Sequence, residues 1–413
     1  MKSTESLTLK SLKKAVSGHA AAFRRLTRLE PAGGPGEKVF PPTYEGGDYA
    51  TEQRRILVNG EAQTVETVLV NSQQAEANRN ELAILDAWRE NRLASLPVVT
   101  SDFSNTDAPE IGQITSLEAP HRIFDAILRD SHINDTPFRK TDYGARLDTL
   151  NLRNATALFE LCPTALVFGV WDSTGPKGGL GVKFARAFVS EVFGVEALRG
   201  RKTSSRIDPL PIASNVEVYK TKDGHWTVDP NKAVKKGQKP VLYFKKKDGG
   251  NPGRPSQVNL GNVTPSIKWG GFTIDYAQQT SVLSLAGLRR LRFPIGDQPA
   301  TVETDRDAQT TLAALALCAA TLAAESGFDL RSRCLLVPTE PFVWELLDKP
   351  GEEQNRFTLT GDEAIDLFNE SVAQAKKAGL PWMDEELVLT PSPDLVSLVR
   401  QSIEAFKTGE EEE

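Results

Sequence analysis

Ala308–Ala324 reads AQTTLAALALCAATLAA and is the longest uncharged run in the chain. Seventeen residues without a charge form either a membrane span or a helix enclosed by protein. A span needs about 20 apolar residues, and this run is shorter and rich in Ala and Thr. A buried helix is therefore predicted, and 413 residues are enough to bury it in two or three domains or in one domain with large insertions. Apolar content of 39% and charged content of 25% are those of a soluble globular chain. Cys162, Cys318 and Cys334 form no C-x-x-C and leave one thiol over, which argues against a disulfide framework or zinc ribbon. The first residues, MKSTESLTLKSLKKAVSGH, lack the apolar core of a secretory signal. Cytoplasmic localisation is expected.

Charge is unevenly distributed. Net charge is −6, yet Arg199–Arg254 holds fourteen basic against five acidic residues, a balance of +9. Asp297–Glu413 holds nine basic against twenty-four acidic, a balance of −15. A globally acidic protein still holds a polyanion where its cations sit together.

Chemistry concentrates in ALVFGVWDSTGPKGGLGVKFARAFVSEVFG, residues 165–194. Ala165–Trp171 has the length and composition of a strand. A loop follows from Asp172 to Gly181, and from Val182 the apolar residues Ala185, Phe188, Val189, Val192 and Phe193 fall at helical spacing. The expected unit is strand, glycine-rich loop, helix, an arrangement whose bare amides and helix dipole suit an anion. Lys177, Lys183 and Arg186 add charge. Neither nucleotide fingerprint fits: Pro176 stands where a P-loop needs lysine, and Phe184 where G-x-G-x-x-G needs its third glycine. A phosphate contact and a tight turn with incidental cations both remain compatible with the spacing.

Along the chain, helices are expected near Thr8–Gly18 and from a cap within Asn71-Ser72-Gln73-Gln74 to about Asn91, the latter with Ala75, Leu82, Leu85 and Trp88 inward. Strands are expected at Ala20–Leu29 and Val65–Val70, and a second helix near Ala119–Arg122. Residues 199–261 read as a basic hairpin too poor in apolar residues for its own core. Asp275–Arg292 reads as a helix and Arg333–Val337 as a core strand. Helices are expected again at about Asp362–Ala378 and Pro393–Phe406. Irregular alternation of strands and helices predicts an α+β fold with a mostly antiparallel sheet.

Catalytic constellations are missing. His19, His121, His132 and His225 form no metal-ligand pair, and no G-x-S-x-G elbow occurs. No cofactor or metal is expected, and a binding protein is favoured over an enzyme.

The stretches 31–47 (PAGGPGEKVFPPTYEGG), 69–81 (LVNSQQAEANRNE), 116–131 (SLEAPHRIFDAILRDS), 168–191, 205–210 (SRIDPL), 261–267 (GNVTPSI) and 275–294 carry a resemblance. The chain resembles the RAMP-superfamily backbone subunit (Cas-seven family) of CRISPR Cascade complexes, and within it the type I-G, formerly I-U, form. That resemblance implies a modified RRM-like (ferredoxin-like) palm with inserted fingers and a basic β-hairpin thumb. On this chain the palm would occupy 1–198 with a helical finger insertion at about 95–150, and the thumb 199–261. Palm completion and C-terminal helices would occupy 262–400, and a disordered acidic tail 401–413. Copies would stack head to tail along CRISPR RNA beside a 5′-handle-capping RAMP subunit and a large subunit. The guide would pair with target DNA, and a recruited helicase-nuclease would degrade it.

RNA contacts would then come from Ser173, Thr174, Lys177, Gly178, Gly179, Gly181, Lys183 and Arg186. Asn71, Gln73, Asn78, Arg79, His121, Arg122, Arg201, Lys202 and Arg206 would add to them. Thumb contacts would come from Lys220, Lys222, Trp226, Lys235, Lys236, Lys245 and Lys246. The alternative is a RAMP-superfamily ribonuclease that processes CRISPR RNA, with His121 and Lys177 as its acid–base pair.

Overall fold

A computed structural model describes residues 4–58, 61–93, 95–173, 181–244 and 251–408. The chain divides into two units, Met1–Ala197 with Ile274–Glu413, and Leu198–Thr273.

The first unit is α+β. Its main sheet runs in the order Thr4–Ser6, Asn355–Thr358, Trp344–Leu347, Ala22–Pro31, Tyr276–Ser284, Phe188–Val195, Glu61–Asn71 and Thr51–Val58. All neighbours are antiparallel except Thr4–Ser6, which lies parallel to Asn355–Thr358. The uncharged run forms the helix Val302–Glu325, started by a Thr301/Thr304 capping box. Every residue from Ala308 to Ala324 is buried. Helices Leu9–Ser17, Gln73–Arg89, Pro163–Phe168 and Gly361–Lys377 pack against it. Among the described residues it is the one helix long and apolar enough to cross a membrane, and its apolar stretch lies wholly inside the protein.

Several expectations change. Ala165–Trp171 is mostly helix: Pro163–Phe168 is helical, started by Pro163 and stopped at Gly169, and only Val170–Trp171 is strand. A segment buried on all sides carries no period that separates the two structures. The helix expected from Val182 is two strands, Lys183–Phe184 and Phe188–Val195. Phe188, Ser190 and Val192 face inward in alternation, and ladders to Tyr276–Ser284 and Glu61–Asn71 determine the outcome. Likewise Asp275–Arg292 is a strand, Tyr276–Ser284, followed by the short helix Leu285–Leu288. Its inward residues are Ala277, Gln279, Ser281 and Leu283, so half of the buried face is polar and the period-2 hydrophobic signal is absent.

Those polar residues meet Glu76, which is fully buried on helix Gln73–Arg89. Glu76 accepts hydrogen bonds from Asn71 Nδ2 (2.6 Å), Ser190 Oγ (2.8 Å) and Gln279 Nε2 (2.7 Å). Gln279 in turn accepts from Arg25 Nη2 at 3.2 Å. Arg25 stacks on Trp344 at 4.8 Å, and burial lowers its pKa to about 10. Helix Gln73–Arg89 therefore buries Glu76, Asn80 and Glu81 while Leu82 is exposed, reversing part of the expected inward face.

The 95–150 region contains short helical turns but is organised by a small sheet. Its strands run Gln113–Thr115, Val99–Asp102, Leu387–Pro391, Ser131–Ile133, Thr136–Pro137. The helix expected near Ala119–Arg122 is instead a 3₁₀ turn, Arg122–Phe124, and a four-residue helix, Ala126–Arg129. Arg333–Val337 maps to Cys334–Pro338, with Leu335 and Val337 exposed rather than in the core. Residues 401–408 of the expected acidic tail belong instead to helix Pro393–Thr408, and 409–413 lie outside the described residues.

The second unit is a twisted ribbon, Leu198–Arg206 against Val263–Thr273, bulged after Arg199 and Ser204. Its return arm therefore reaches Thr273, beyond the boundary at Gly261 read from sequence. Two short ladders follow the ribbon, Tyr219–Lys220 with Trp226–Thr227 and Lys235–Lys236 with Lys239–Pro240. Buried apolar side chains are few here, Val218 and Ala233 among them.

Candidate nucleic-acid groove

Strands Val170–Trp171 and Lys183–Phe184 form a small antiparallel hairpin with Lys183 opposite Trp171. Among the described residues no helix begins after the glycine-rich loop, and Lys183–Phe184 is strand where the helix and its dipole were expected. What replaces it is a groove of about 380 Å³. Its walls include Gln74 from the start of one helix, His121 and Arg122 from a 3₁₀ turn, Trp171 and Lys183 from the hairpin, and Arg186. Three segments far apart in the chain converge here.

Gly169 makes the convergence possible. It has φ +82° and ψ 154°, a conformation nearly exclusive to glycine. A Cβ there would stand 2.8 Å from Arg186 Cγ, 3.0 Å from Arg186 N and 3.2 Å from Phe184 O. Two guanidiniums hold this crossing. Arg122 Nη1 donates to the Gly169 carbonyl at 2.9 Å, and Arg186 Nε donates to the Phe168 carbonyl at 3.2 Å. Arg122 is buried and forms a fork to Glu81, Nε to Oε1 at 2.6 Å and Nη2 to Oε2 at 2.7 Å. Burial pushes the Glu81 carboxyl up to about 7 despite the arginine beside it. Desolvation also lowers the Arg186 pKa, and the neighbouring Arg122 charge adds to that shift.

Lys183 is exposed, with its ammonium 5.6 Å from the Trp171 ring. Trp171 is about half exposed (49%) and was not singled out from sequence; an aromatic residue flanking a glycine-rich loop was the available signal. His121 is exposed, and its backbone N–H donates to Asp125 Oδ2 at 3.0 Å. Asp172 is buried against Arg139 at 2.9 Å. A second hollow of about 310 Å³ adjoins Lys183 and Arg186 and is lined also by Leu152, Leu166 and Arg290.

Other residues expected to contact RNA have different surroundings. Asn71 is buried on Glu76 and also accepts from Arg331 Nη2 at 3.3 Å. Arg79 is bound to the carbonyls of Ala323 and Gly327 and stacks on Phe328 at 4.4 Å. Both side chains are engaged in the core, as Arg122 is with Glu81. Gln73 and Asn78 are exposed without lining the groove, Ser173 is exposed, and Gly181 is partly buried. Thr174, Lys177, Gly178, Gly179, Lys245 and Lys246 lie outside the described residues.

In the second unit Arg199 and Arg201 flank the exposed Trp269, at 5.6 and 4.8 Å from its ring. Lys202 is exposed nearby on the ribbon, and Arg206 pairs with Asp208 at 3.1 Å. Lys220, Lys222, Lys235 and Lys236 are exposed, as is Trp226. Trp269 is a second aromatic missed in the sequence. Among the described residues, no cluster of His, Cys, Asp or Glu has metal-binding geometry.

Residues 24–199 match the family model described as CRISPR-associated protein GSU0053 (Cas_GSU0053). A search of curated proteins returns no match. The matched segment contains every lining residue of the 380 Å³ groove but only the first residues of the ribbon. Over residues 24–199, the chain is similar to a CRISPR-associated protein family.

Proposed function

We propose that the protein is a non-catalytic, guide-RNA-holding backbone subunit of a type I-G Cascade complex, acting in the cytoplasm. The observation that carries this reading is the groove where His121, Lys183 and Arg186 meet the exposed ring of Trp171. Holding a single strand without regard to sequence calls for phosphate-facing cations and aromatic faces for stacking rather than base-edge readout. The ribbon with Arg199, Arg201 and Trp269 offers the same pairing in the second unit, consistent with a thumb on an RRM-like palm. In this reading copies stack head to tail on CRISPR RNA, which then pairs with target DNA. A capping RAMP subunit, a large subunit and a helicase-nuclease complete the system.

The test is purification with co-encoded CRISPR partners, followed by measurement of RNA content. Co-purifying RNA of uniform length is expected, and its loss with Lys183→Glu. RNA-free assemblies would refute the proposal. Cleavage of labelled repeat RNA that disappears in His121→Ala would favour the ribonuclease instead, because His121 is the exposed histidine of the groove.

A further inference from the structure

Glu81 is 2% exposed, yet it sits one residue behind the groove wall. Its carboxylate faces Arg122 from the 3₁₀ turn, Arg186 from the segment before strand Phe188–Val195, and Cys162 and Thr164 from the stretch around helix Pro163–Phe168. Both arginines line the groove. While Glu81 is ionised this cluster carries one net positive charge, and on protonation it carries two. We propose that Glu81 makes anion binding in the groove proton-linked, so that the phosphate chain is held more tightly once this carboxylate is neutralised. The inference rests on the reading of the groove as the RNA site and adds its regulation.

The physical argument is reciprocity. An anion placed against Arg122 and Arg186 is repelled by the Glu81 carboxylate, so its arrival raises the affinity of Glu81 for a proton. Linkage then requires that protonation raise the affinity for the anion equally. At the effective dielectric of partly buried sites, one unit charge several ångströms away changes binding on the order of tenfold. Burial raises the Glu81 carboxyl to about 7 although Arg122 opposes the shift. Arg122 keeps its bond to the Gly169 carbonyl in either state, so the crossing at Gly169 retains an anchor.

The experiment measures fluorescence anisotropy of labelled single-stranded RNA with the full-length chain between pH 6 and 8. Calorimetry in buffers of different ionisation enthalpy counts protons taken up. Wild type is expected to bind about fivefold more tightly at pH 6 than at pH 8, with proton uptake. Glu81→Gln is expected to bind tightly at pH 8 with a flat profile. His121→Gln removes the histidine that lines the groove with Arg122, Lys183 and Arg186, and is expected to keep most of the pH dependence. Three results overturn the inference: a wild-type profile in Glu81→Gln, uniformly weaker binding by that variant, or RNA binding by wild type without proton uptake. The last needs no variant to fold. Absence of RNA binding by wild type at every pH refutes instead the reading of the groove as an RNA site.

Discussion

Gly169→Ala tests the geometry on which the groove depends. The residue sits at φ +82° and ψ 154°, and a side chain there costs about 1–3 kcal/mol in backbone strain. The new methyl also meets Arg186 N at 3.0 Å and Phe184 O at 3.2 Å, both backbone atoms, besides Arg186 Cγ at 2.8 Å. Flexible side chains can retreat from such contacts, whereas a paired backbone retreats only by moving the hairpin, at about 1–3 kcal/mol for an overpacked site. Lower entropy of the unfolded chain returns about 0.4–1 kcal/mol. A net loss of about 2–4 kcal/mol follows. Gly34 is the comparator, with φ +86° and nothing within 4 Å of a built Cβ; Gly34→Ala is expected to cost about 1 kcal/mol from conformation alone. Urea denaturation followed by tryptophan fluorescence measures both. Equal midpoints for the two variants would refute the claim that a crowded crossing at Gly169, rather than positive φ alone, organises the groove.

Three further outcomes follow from the structure. Lys183→Glu places repulsion beside Trp171 and is expected to weaken RNA binding at least tenfold at low salt, with the difference shrinking as salt rises; anisotropy at two ionic strengths checks it. Glu76→Ala leaves Asn71, Ser190 and Gln279 without their shared acceptor and is expected to cost about 3–5 kcal/mol in urea denaturation. The Glu81 carboxyl is raised from 4.5 to about 7 in the folded protein, so the stability it contributes is full below pH 4.5 and is lost as pH rises through 7. Thermal stability is expected to fall across that window by a contribution of up to about 3 kcal/mol, and Glu81→Gln to abolish that part, as melting curves at pH 5 and 8 would show.

Much of the local structure was legible in the sequence. The helix expected near Thr8–Gly18 is Leu9–Ser17, the cap stretch Asn71–Gln74 starts Gln73–Arg89, and the uncharged run marks a buried helix. Capping and exclusion of charge act within a few residues, so a linear reading detects them. The segment 165–194 stood out for its glycines and cations, although its secondary structure came out inverted. Residues 182–195 satisfy helical and strand spacing alike, and pairing with Tyr276–Ser284 and Glu61–Asn71 selects strands through hydrogen bonds to residues more than 80 positions away.

Tertiary structure alone decided which cations stay exposed. Arg79, Arg122 and Lys183 are all basic residues close to polar segments, and composition does not distinguish them. Arg79 is used on main-chain carbonyls and Arg122 on Glu81, while Lys183 remains exposed over an aromatic ring. The physical reason is burial. Once the sheet and helix Gln73–Arg89 enclose Glu76 and Glu81, each needs partners from remote parts of the chain, and the arginines within reach supply them. Lys183, outside that enclosure, keeps its ammonium exposed.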